Sequence, residues 1–544
     1  MKLLCRERAK FAVKNTGERE RTDTIYREQI KPLMPPRKLW VNPSKEKRPR
    51  KGGKGISAWT YTRKMADARI WTTILKYREQ TPDAPWLQNM NAFVSHIQGI
   101  ASGEETFTME SPRVLPQFKK EDNGVFIYRP ICMYTSLETK IVLVLTYKYL
   151  LEVLDDCFHG NMLFMRSRRK LPNGDRITPN YTDAIRLAKA YREKHGKQTI
   201  FVGECDIQKF YDILNHDDIL ECFDELFALR AAQSAEDVSV FAPVRKIIES
   251  YLESYDYYRC VMNLNDQSLP LWRSAKAQHK TTECPDPVCR FKWVSDEAFI
   301  SSGCYDEKTL ADAKVNGKIG IPQGGALSGI IVNVVMQCID EDIVKEKDPE
   351  RLFVRYCDDI LLMHTDREKC REYLETYFRN LRKHKLVPHE AIDVRDCKGG
   401  RNGERTHKEF WEAKSKNVFK WGDGGGDASD WIAFVGYEMR RTGEIRVRKD
   451  KIDGMFTKIA SKYYQVIYSK KGTPEEKLEK FNTLASKLEE SYEMKTFDRY
   501  TKAQARRLDK YLERKVGQAS NRLKTDYPKG FTRFVSVILE KSRE

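Results

Sequence analysis

Two adjacent carboxylates in the run RLFVRYCDDILLMHTD (351–366) constrain the fold of this chain more than any other sequence feature. The β-forming residues on both sides predict two short strands joined by a tight turn, and Asp358 and Asp359 lie at that turn. Neighbouring carboxylates repel each other, so the pair is costly to keep unless cations neutralise it. The run therefore predicts a hairpin whose turn is either a cation site or an ordinary aspartate turn.

A third acid, Asp206, follows another strand-like segment within the run TIFVGECDIQKFYDI (199–213). If the two segments pair as neighbouring strands, all three acids meet. Hard carboxylate oxygens suit Mg²⁺, which takes a few carboxylates together with substrate phosphates. Two ions about 4 Å apart can activate a 3′-hydroxyl and stabilise a leaving pyrophosphate. The alternative is ordinary turn chemistry, because aspartates are common in turns and after strands.

The charge balance indicates a polyanionic partner. The chain has 97 basic and 79 acidic side chains in 544 residues, a net charge of +18. Nucleic acid is the usual partner of such a surface, although a soluble basic protein would carry the same charge. Thirteen scattered cysteines and the lack of a secretory signal favour a reduced, cytoplasmic setting. The most apolar stretch, 141–151, is too short to span a bilayer, so we expect no membrane partner.

Local patterns suggest how the chain is organised. Residues 1–64 are basic and interrupted by proline, and SKEKRPRKGGKG (44–55) predicts an extended arm that contacts phosphates or serves as a solvated linker. FKKEDNGVFIYRP (118–130) predicts a hairpin that turns at Asp122-Asn123-Gly124. Residues 137–154 predict a long apolar helix. Residues 257–316 have little periodicity and are interpreted as an insertion, in which irregular cysteine spacing argues against a zinc site.

Four motifs occur in a fixed order along the chain: DIQKFYDILNH (206–216), GIPQGGALS (320–328), YCDD (356–359) and FVGY (434–437). This ordered set resembles the reverse transcriptases over residues 128–449. The resemblance implies an α+β fold of the right-hand polymerase type, with fingers, an RRM-like palm sheet and a helical thumb. The implied domains are a basic N-terminal arm at 1–64, fingers at 65–198, a palm at 199–450 with an insertion at about 257–316, and a helical thumb or C-terminal region at 451–544.

The resemblance also implies which residues carry the chemistry. Asp206, Asp358 and Asp359 are the expected catalytic acids, and with the main-chain carbonyl of Ile207 they would hold two Mg²⁺ ions, or Mn²⁺ in their place. Tyr211 resembles the aromatic gate that rejects a ribose 2′-hydroxyl by steric exclusion.

A second group of residues is expected to bind the nucleotide. Gln323 and Gly324 belong to a glycine-rich loop that resembles the one beneath the incoming nucleotide, where glycine lets the backbone approach closely. Arg129 resembles the fingers residue that grips the triphosphate through its two-pronged guanidinium. Lys119 and Arg166 are weaker candidates for the same pocket.

The primer and template are expected to contact the segment that follows. Phe434, Gly436 and Tyr437 resemble the primer grip of the family. Arg446 and Arg448 lie shortly after it and would suit a nucleic-acid backbone. The alternative is a solvated hairpin with no ligand.

Among reverse transcriptases, RYCDDILLMHTD and GIPQGGALSG look most like the bacterial unknown-group or defence-associated enzymes. That similarity implies an RNA-directed DNA polymerase in antiphage defence, with a noncoding RNA template, deoxynucleoside triphosphate substrates, a DNA product and, in some relatives, a homo-oligomer. One alternative is template-independent or protein-primed synthesis at the same site. Another is an inactive RNA-binding protein that kept the fold.

Overall fold

The computed structural model describes residues 1–12, 23–49, 58–166, 169–170, 176–233, 238–397, 407–422, 426–468, 472–492 and 502–523. These residues combine helices with several sheets. The strands are β1 (Arg113–Asp122), β2 (Val125–Met133), β3 (Arg169–Lys170), β4 (Arg176–Ile177), β5 (Phe201–Cys205), β6 (Val288–Phe291), β7 (Arg351–Tyr356), β8 (Asp359–His364), β9 (Ala391–Ile392), β10 (Ser415–Trp421), β11 (Ala428–Ser429), β12 (Trp431–Phe434), β13 (Tyr437–Arg440) and β14 (Ile445–Val447).

The helices of the described ranges surround these sheets. They are α1 (Lys2–Ala9), α2 (Ala58–Gln80), α3 (Pro85–Ser102), α4 (Leu137–Leu154), α5 (Tyr181–His195), α6 (Phe210–Ile213), α7 (His216–Gln233), α8 (Val238–Glu253), α9 (Tyr257–Val261), α10 (Pro270–His279), α11 (Asp296–Ser301), α12 (Glu307–Val315), α13 (Ser328–Val344), α14 (Arg367–Lys383), α15 (His407–Glu412), α16 (Lys449–Ile467), α17 (Pro474–Tyr492) and α18 (Lys502–Leu523). A π-helix spans Ile25–Ile30. Helix α4 has the bounds that the apolar pattern predicts.

The central sheet has the strand order β11-β10-β5-β8-β7, and β9 pairs with β10 beside this path. Strand side chains alternate between two faces. Cys205, Ile360 and Leu362 belong to one core with helices α7, α13 and α14. Val202 and Leu361 belong to a second core with β12–β14 and α16–α18. The sheet is therefore buried on both faces, and this fixes the position of the strand ends that carry the acids.

Strands β1 and β2 form the predicted hairpin. Asn123 and Gly124 both have positive φ angles, 51° and 78°, as a two-residue type I′ turn requires. Strand β6 pairs in parallel with β2 and extends the hairpin to the three-stranded sheet β1-β2-β6.

Residues 257–316, interpreted from the sequence as an insertion with little periodicity, are folded into α9–α12 and β6. Trp272, Cys289 and Phe291 are almost fully buried and pack with Tyr128 in a core of their own. The elements are too short to show a sequence period, and the partner strand of β6 lies far away in the chain. Only tertiary pairing defines them.

The described part of the N-terminal segment is packed rather than extended. Helix α1 and the π-helix bury Leu4, Cys5 and Ile30 in the main core. Arg8 is also buried, and its guanidinium lies 4.9 Å from the ring centre of Tyr26. Residues 1–12 and 25–34 are therefore packed rather than extended, whereas residues 44–48 of the basic run are exposed. Residues 50–57, which include the end of the basic run, lie outside the described residues.

The C-terminal part begins with the three-stranded meander β12-β13-β14. The sequence pattern predicts one turn at Thr442-Gly443, but a further turn occurs at Val435-Gly436, where both φ angles are positive. Helices α16, α17 and α18 pack on one another, and Ile452 and Ile459 of α16 are buried. No helix in the described ranges has the length and apolar character needed to cross a membrane.

Candidate active site

The end of β5 and the turn between β7 and β8 lie side by side. Cys205 pairs with Ile360, so the next residue, Asp206, lies beside Asp359. Tyr356 pairs with Asp359, which leaves Cys357 and Asp358 as the two-residue tip of the hairpin. The register thus brings the three acids together at one edge of the central sheet.

The three carboxylates interact electrostatically. Burial is the main cause that raises the pKa of Asp358, and repulsion from Asp206 raises it further. Burial also raises the pKa of Asp359, and the negative charges of Asp358 and Asp206 add to this effect. A site in which acids destabilise one another is one that bound cations stabilise.

Lys414, the residue before β10, is ion-paired with the carboxylate of Asp206. His389 Nε2 lies 3.9 Å from Asp206 Oδ2. Within the described part of the chain, no three His, Cys, Asp or Glu side chains are arranged as a metal-binding group. The donor chemistry nevertheless fits a divalent cation, because hard oxygen donors converge at the strand ends and repel one another. Ile207 follows directly, is buried and forms a bridge with Pro388.

The glycine-rich loop that starts at Gly320 is docked by backbone hydrogen bonds. Gly320 N donates to Leu214 O at 2.7 Å and Ile321 N donates to Tyr211 O at 2.8 Å. On the other side, Cys132 N of β2 donates to Gln323 O at 2.8 Å. The loop therefore links the hairpin β1–β2 to the segment that follows Asp206.

The side chain of Gln323 faces a buried acid. Gln323 Nε2 donates to Asp212 Oδ1 at 2.7 Å, and Asp212 is 1% exposed. Burial raises the pKa of Asp212 to about 6, despite the nearby Lys209 and the hydrogen bond from Gln323. Gly324, the next residue, has a φ of 89°, a conformation that favours glycine.

Four cations lie close to these acids. Burial lowers the pKa of Lys119 to about 8, and the positive charges of Lys209, Arg129 and Lys414 lower it further. Lys119 and Arg129 are predicted from the sequence, whereas Lys209 and Lys414 are not. The position of Lys209 three residues after Asp206 is a usable signal, but no local pattern distinguishes Lys414. A cluster of cations beside three acids suits a ligand that carries both phosphates and metal ions.

Arg166 has a structural role instead. It is buried, and its guanidinium donates to both Asp155 Oδ1 at 2.7 Å and the carbonyl of Met162 at 2.9 Å. These hydrogen bonds link Arg166 to the segment 155–162 that follows α4. The weaker expectation that Arg166 belongs to the nucleotide pocket is not supported by this geometry.

The segment expected to grip the primer packs on the second face of the central sheet. Phe434 and Tyr437 are buried, and Tyr437 stacks on Tyr181 with ring centres 6.1 Å apart. Gly436, with a φ of 86°, forms the tip between them. Since both aromatic rings belong to the core, the surface that this turn offers to a ligand is largely backbone.

The two arginines after this turn differ in their surroundings. Arg446 Nε donates to Glu438 Oε2 at 2.5 Å, and the guanidinium lies 3.8 Å from the centre of a Trp431 ring. Arg448 is half-buried and immediately precedes α16. Arg446 is thus oriented by Glu438 and Trp431, and its side chain remains partly exposed.

Residues 285–390 match the family model described as reverse transcriptase (RNA-dependent DNA polymerase). The chain contains a reverse transcriptase domain. The matched segment includes the docked glycine-rich loop together with Asp358 and Asp359, while Asp206 lies outside it. The chain is accordingly an RNA-directed DNA polymerase. Reverse transcriptase domains generally use divalent metal ions.

Solved structures similar to this chain include telomerases. The apo telomerase of Candida tropicalis has 13% identity and a TM-score of 0.34, and the match covers 84% of this chain and 67% of that one. The telomerase of Candida albicans, solved with a fragment of telomeric RNA, has 12% identity and a TM-score of 0.34, with 85% and 70% covered. The sequence matches none of the curated proteins with which it was compared.

Substitution of Tyr211 tests how the reverse transcriptase domain selects deoxynucleotides over ribonucleotides. Its hydroxyl lies 3.9 Å from Cys357 Sγ, at the tip of the hairpin that carries the acids. We expect Tyr211→Ala to reduce the preference for deoxynucleotides over ribonucleotides by about 10²-fold, because the ring no longer excludes a 2′-hydroxyl. The ratio of kcat/KM values for the two nucleotides measures this. Tyr211→Phe keeps the ring and should keep the preference, and unchanged selectivity in the alanine variant would contradict the gate.

Substitution of Lys414 tests, without an activity assay, how the charge next to Asp206 affects the binding of divalent metal ions. Its ammonium competes with other cations for Asp206, so Lys414→Gln should lower the divalent metal concentration that half-saturates the protein by about two- to fivefold. Thermal unfolding in increasing Mg²⁺ measures that concentration. Lys414→Arg retains the positive charge and serves as the matched control. A higher requirement in Lys414→Gln would show that the lysine assists metal binding instead.

Proposed function

We propose that this polymerase copies RNA into DNA by two-metal-ion nucleotidyl transfer, with Asp206, Asp358 and Asp359 as the catalytic acids. The observation that carries the proposal is the pairing of β5 with β8, which sets Asp206 beside Asp359. Two Mg²⁺ ions, or Mn²⁺, would activate the primer 3′-hydroxyl and neutralise the leaving pyrophosphate. The three carboxylates and the Ile207 carbonyl would hold them.

The nucleotide is proposed to bind between the acids and the cation cluster. Arg129, Lys119 and Lys209 would neutralise the triphosphate, because the hairpin β1–β2 and the segment after Asp206 bring these cations together. The hydrogen bond to Asp212 holds the side chain of Gln323 in place. The backbone at the next residue, Gly324, would then support the base of the incoming nucleotide. In this arrangement β1–β2 belongs to the fingers, the central sheet to the palm and α16–α18 to the thumb.

The primer strand is proposed to follow the turn at Gly436. The backbone of that turn would approach the last primer nucleotides, and Arg446 and Arg448 would contact phosphates behind it. The packing of β12 against β5 supports this path, since Ala433 N lies 3.4 Å from Glu204 Oε1, two residues before Asp206.

A template of mixed sequence with an annealed primer tests the proposal. Purified protein with Mg²⁺ and all four deoxynucleotides should give DNA complementary to the RNA, as determined by sequencing the product. A homopolymer that ignores the template would favour template-independent synthesis. RNA binding without incorporation under both Mg²⁺ and Mn²⁺ would favour an inert RNA-binding protein.

We also propose a role in bacterial antiphage defence in the cytoplasm, with a noncoding RNA as template. This proposal rests on the motif resemblance at 320–329 and 355–366 alone. Sequencing the RNA and DNA that copurify with the protein tests it, and size determination of the same sample tests for a homo-oligomer. One abundant noncoding RNA with its complementary DNA supports the proposal, and an unselective mixture of cellular RNA contradicts it.

A further inference from the structure

A groove lies on the sheet β1-β2-β6, on the side of Arg129. It has a volume of about 360 Å³, and its lining includes Val125, Ile127, Met262, Arg290, Lys292 and Trp293. Three of these residues come from β6 and the chain just after it, within the segment 257–316. We call this feature the β2–β6 groove.

The groove lies on the same face of the sheet as Arg129 of the cation cluster. Alternation along β2 places Val125, Ile127 and Arg129 on one face of the sheet. Parallel pairing sets Arg290 opposite Ile127 on that same face. Val125 is four strand residues from Arg129, about 13 Å. A nucleic-acid strand that runs from the cation cluster toward Val125 would therefore enter the groove after about one or two nucleotides.

The charge of the groove continues that of the active site. Burial is the main cause that lowers the pKa of Lys209, and the positive charges of Lys292, Arg129 and Lys120 contribute. Lys120 and Lys292 share a single carboxylate, Asp122, at 3.7 and 3.0 Å. Two ammonium groups on one acid leave an excess of positive charge, which suits phosphates.

The floor of the groove is apolar and partly aromatic. Trp293 stacks on Tyr257 with ring centres 4.5 Å apart, and it is half-buried. Val125, Ile127 and Met262 add aliphatic surface to the lining. Stacking surfaces beside cations are typical of proteins that bind single-stranded nucleic acid. A duplex presents its phosphates but hides its base faces, so it would leave the apolar floor unused.

We propose that the β2–β6 groove binds unpaired template RNA ahead of the polymerase site, with phosphates on Arg290 and Lys292 and a base against Trp293. This inference rests on the proposed function, because it takes the active site to lie at Asp358. It assigns the segment 257–316 to template binding, through the strand that it adds to the β1–β2 hairpin.

The double variant Arg290→Ala/Lys292→Ala tests the groove. The control variant Lys345→Ala/Lys347→Ala removes the same charge from exposed positions. These positions follow the far end of α13, a helix of 17 residues that begins at the glycine-rich loop and spans about 25 Å. Equilibrium binding is measured on two primed RNA templates, one with a single unpaired nucleotide and one with about eight. The groove variant should bind the long template about tenfold more weakly and the short one within about twofold of wild type. The control should match wild type on both.

Salt dependence gives a second readout on the same proteins. Removing two phosphate contacts should reduce the slope of log affinity against log salt by about 1.4 for the long template only. Equal losses on both templates would assign these cations to the duplex or the nucleotide and overturn the proposal, as would no loss on either. Binding is measured without catalysis, so failure of the wild type to extend either template would count against the proposed function and not against the groove.

A photoreactive uridine at the second unpaired template position locates the strand directly. Crosslinking should modify the peptide that contains Met262 or the one that contains Trp293. Crosslinks confined to residues 434–448 would overturn the inference, because the unpaired strand would then follow the primer side.

Discussion

Asp358→Asn is expected to lower kcat/KM for DNA synthesis by about 10³-fold or more. Charge stabilisation by a bound metal is worth several kcal/mol, and each 1.36 kcal/mol corresponds to a tenfold change in rate. The amide keeps the volume of the carboxylate but loses its charge, so the site would hold its metal ions poorly. Single-nucleotide incorporation on a primed RNA template measures the effect.

The same substitution should leave the fold intact. Asp358 is half-buried among acids that repel it, so a neutral side chain should raise the thermal stability of the metal-free protein rather than lower it. Asp156→Asn, at an exposed position after α4, is the matched control and should retain wild-type activity. Substantial DNA synthesis by the Asp358 variant, with its stability intact, would contradict the catalytic assignment.

Arg355→Met is expected to lower the free energy of unfolding by about 3–5 kcal/mol and also to impair catalysis. Arg355 and Asp340 are both fully buried, and Arg355 Nε donates to Asp340 Oδ2 at 2.5 Å. Removal of the guanidinium leaves the Asp340 charge buried, with His159 Nε2 at 2.9 Å from Asp340 Oδ2. Chemical denaturation of wild type and variant measures the loss.

The catalytic part of this prediction depends on a second contact. Arg355 Nη1 donates to the carbonyl of Cys357 at 3.2 Å, directly before Asp358. Cys357 has a φ of 61°, which is unfavourable for a residue with a side chain, so the turn depends on such support. Without the bond, the turn should sample other conformations, and kcat should fall more than KM rises.

A double variant separates the two effects. Asp340→Leu/Arg355→Met removes the whole ion pair, so most of the lost stability should return, because no buried charge is left without its partner. The bond to Cys357 is still missing, so kcat should remain low. Wild-type kcat in this variant would show that Arg355 only stabilises the fold.

Much of the local structure follows from the sequence. The Asn123-Gly124 turn, the helix at 137–154 and the hairpin that carries Asp358 and Asp359 all depend on neighbours close in the chain. Asp206 is also predictable, because an acid at the end of a strand-like run stands out beside a second acidic turn. Whether these acids catalyse, as the motifs imply, is the question that Asp358→Asn answers.

The rest depends on contacts between distant segments. The sequence determined the hairpins β1–β2 and β7–β8 and helix α4, because backbone preferences and side-chain alternation act over a few residues. Only the tertiary structure decided that Lys414 meets Asp206, that Asp212 holds Gln323, and that β6 extends the hairpin β1–β2. Ion pairs and strand pairing of this kind leave no local period, since their energy arises only when the chain has folded.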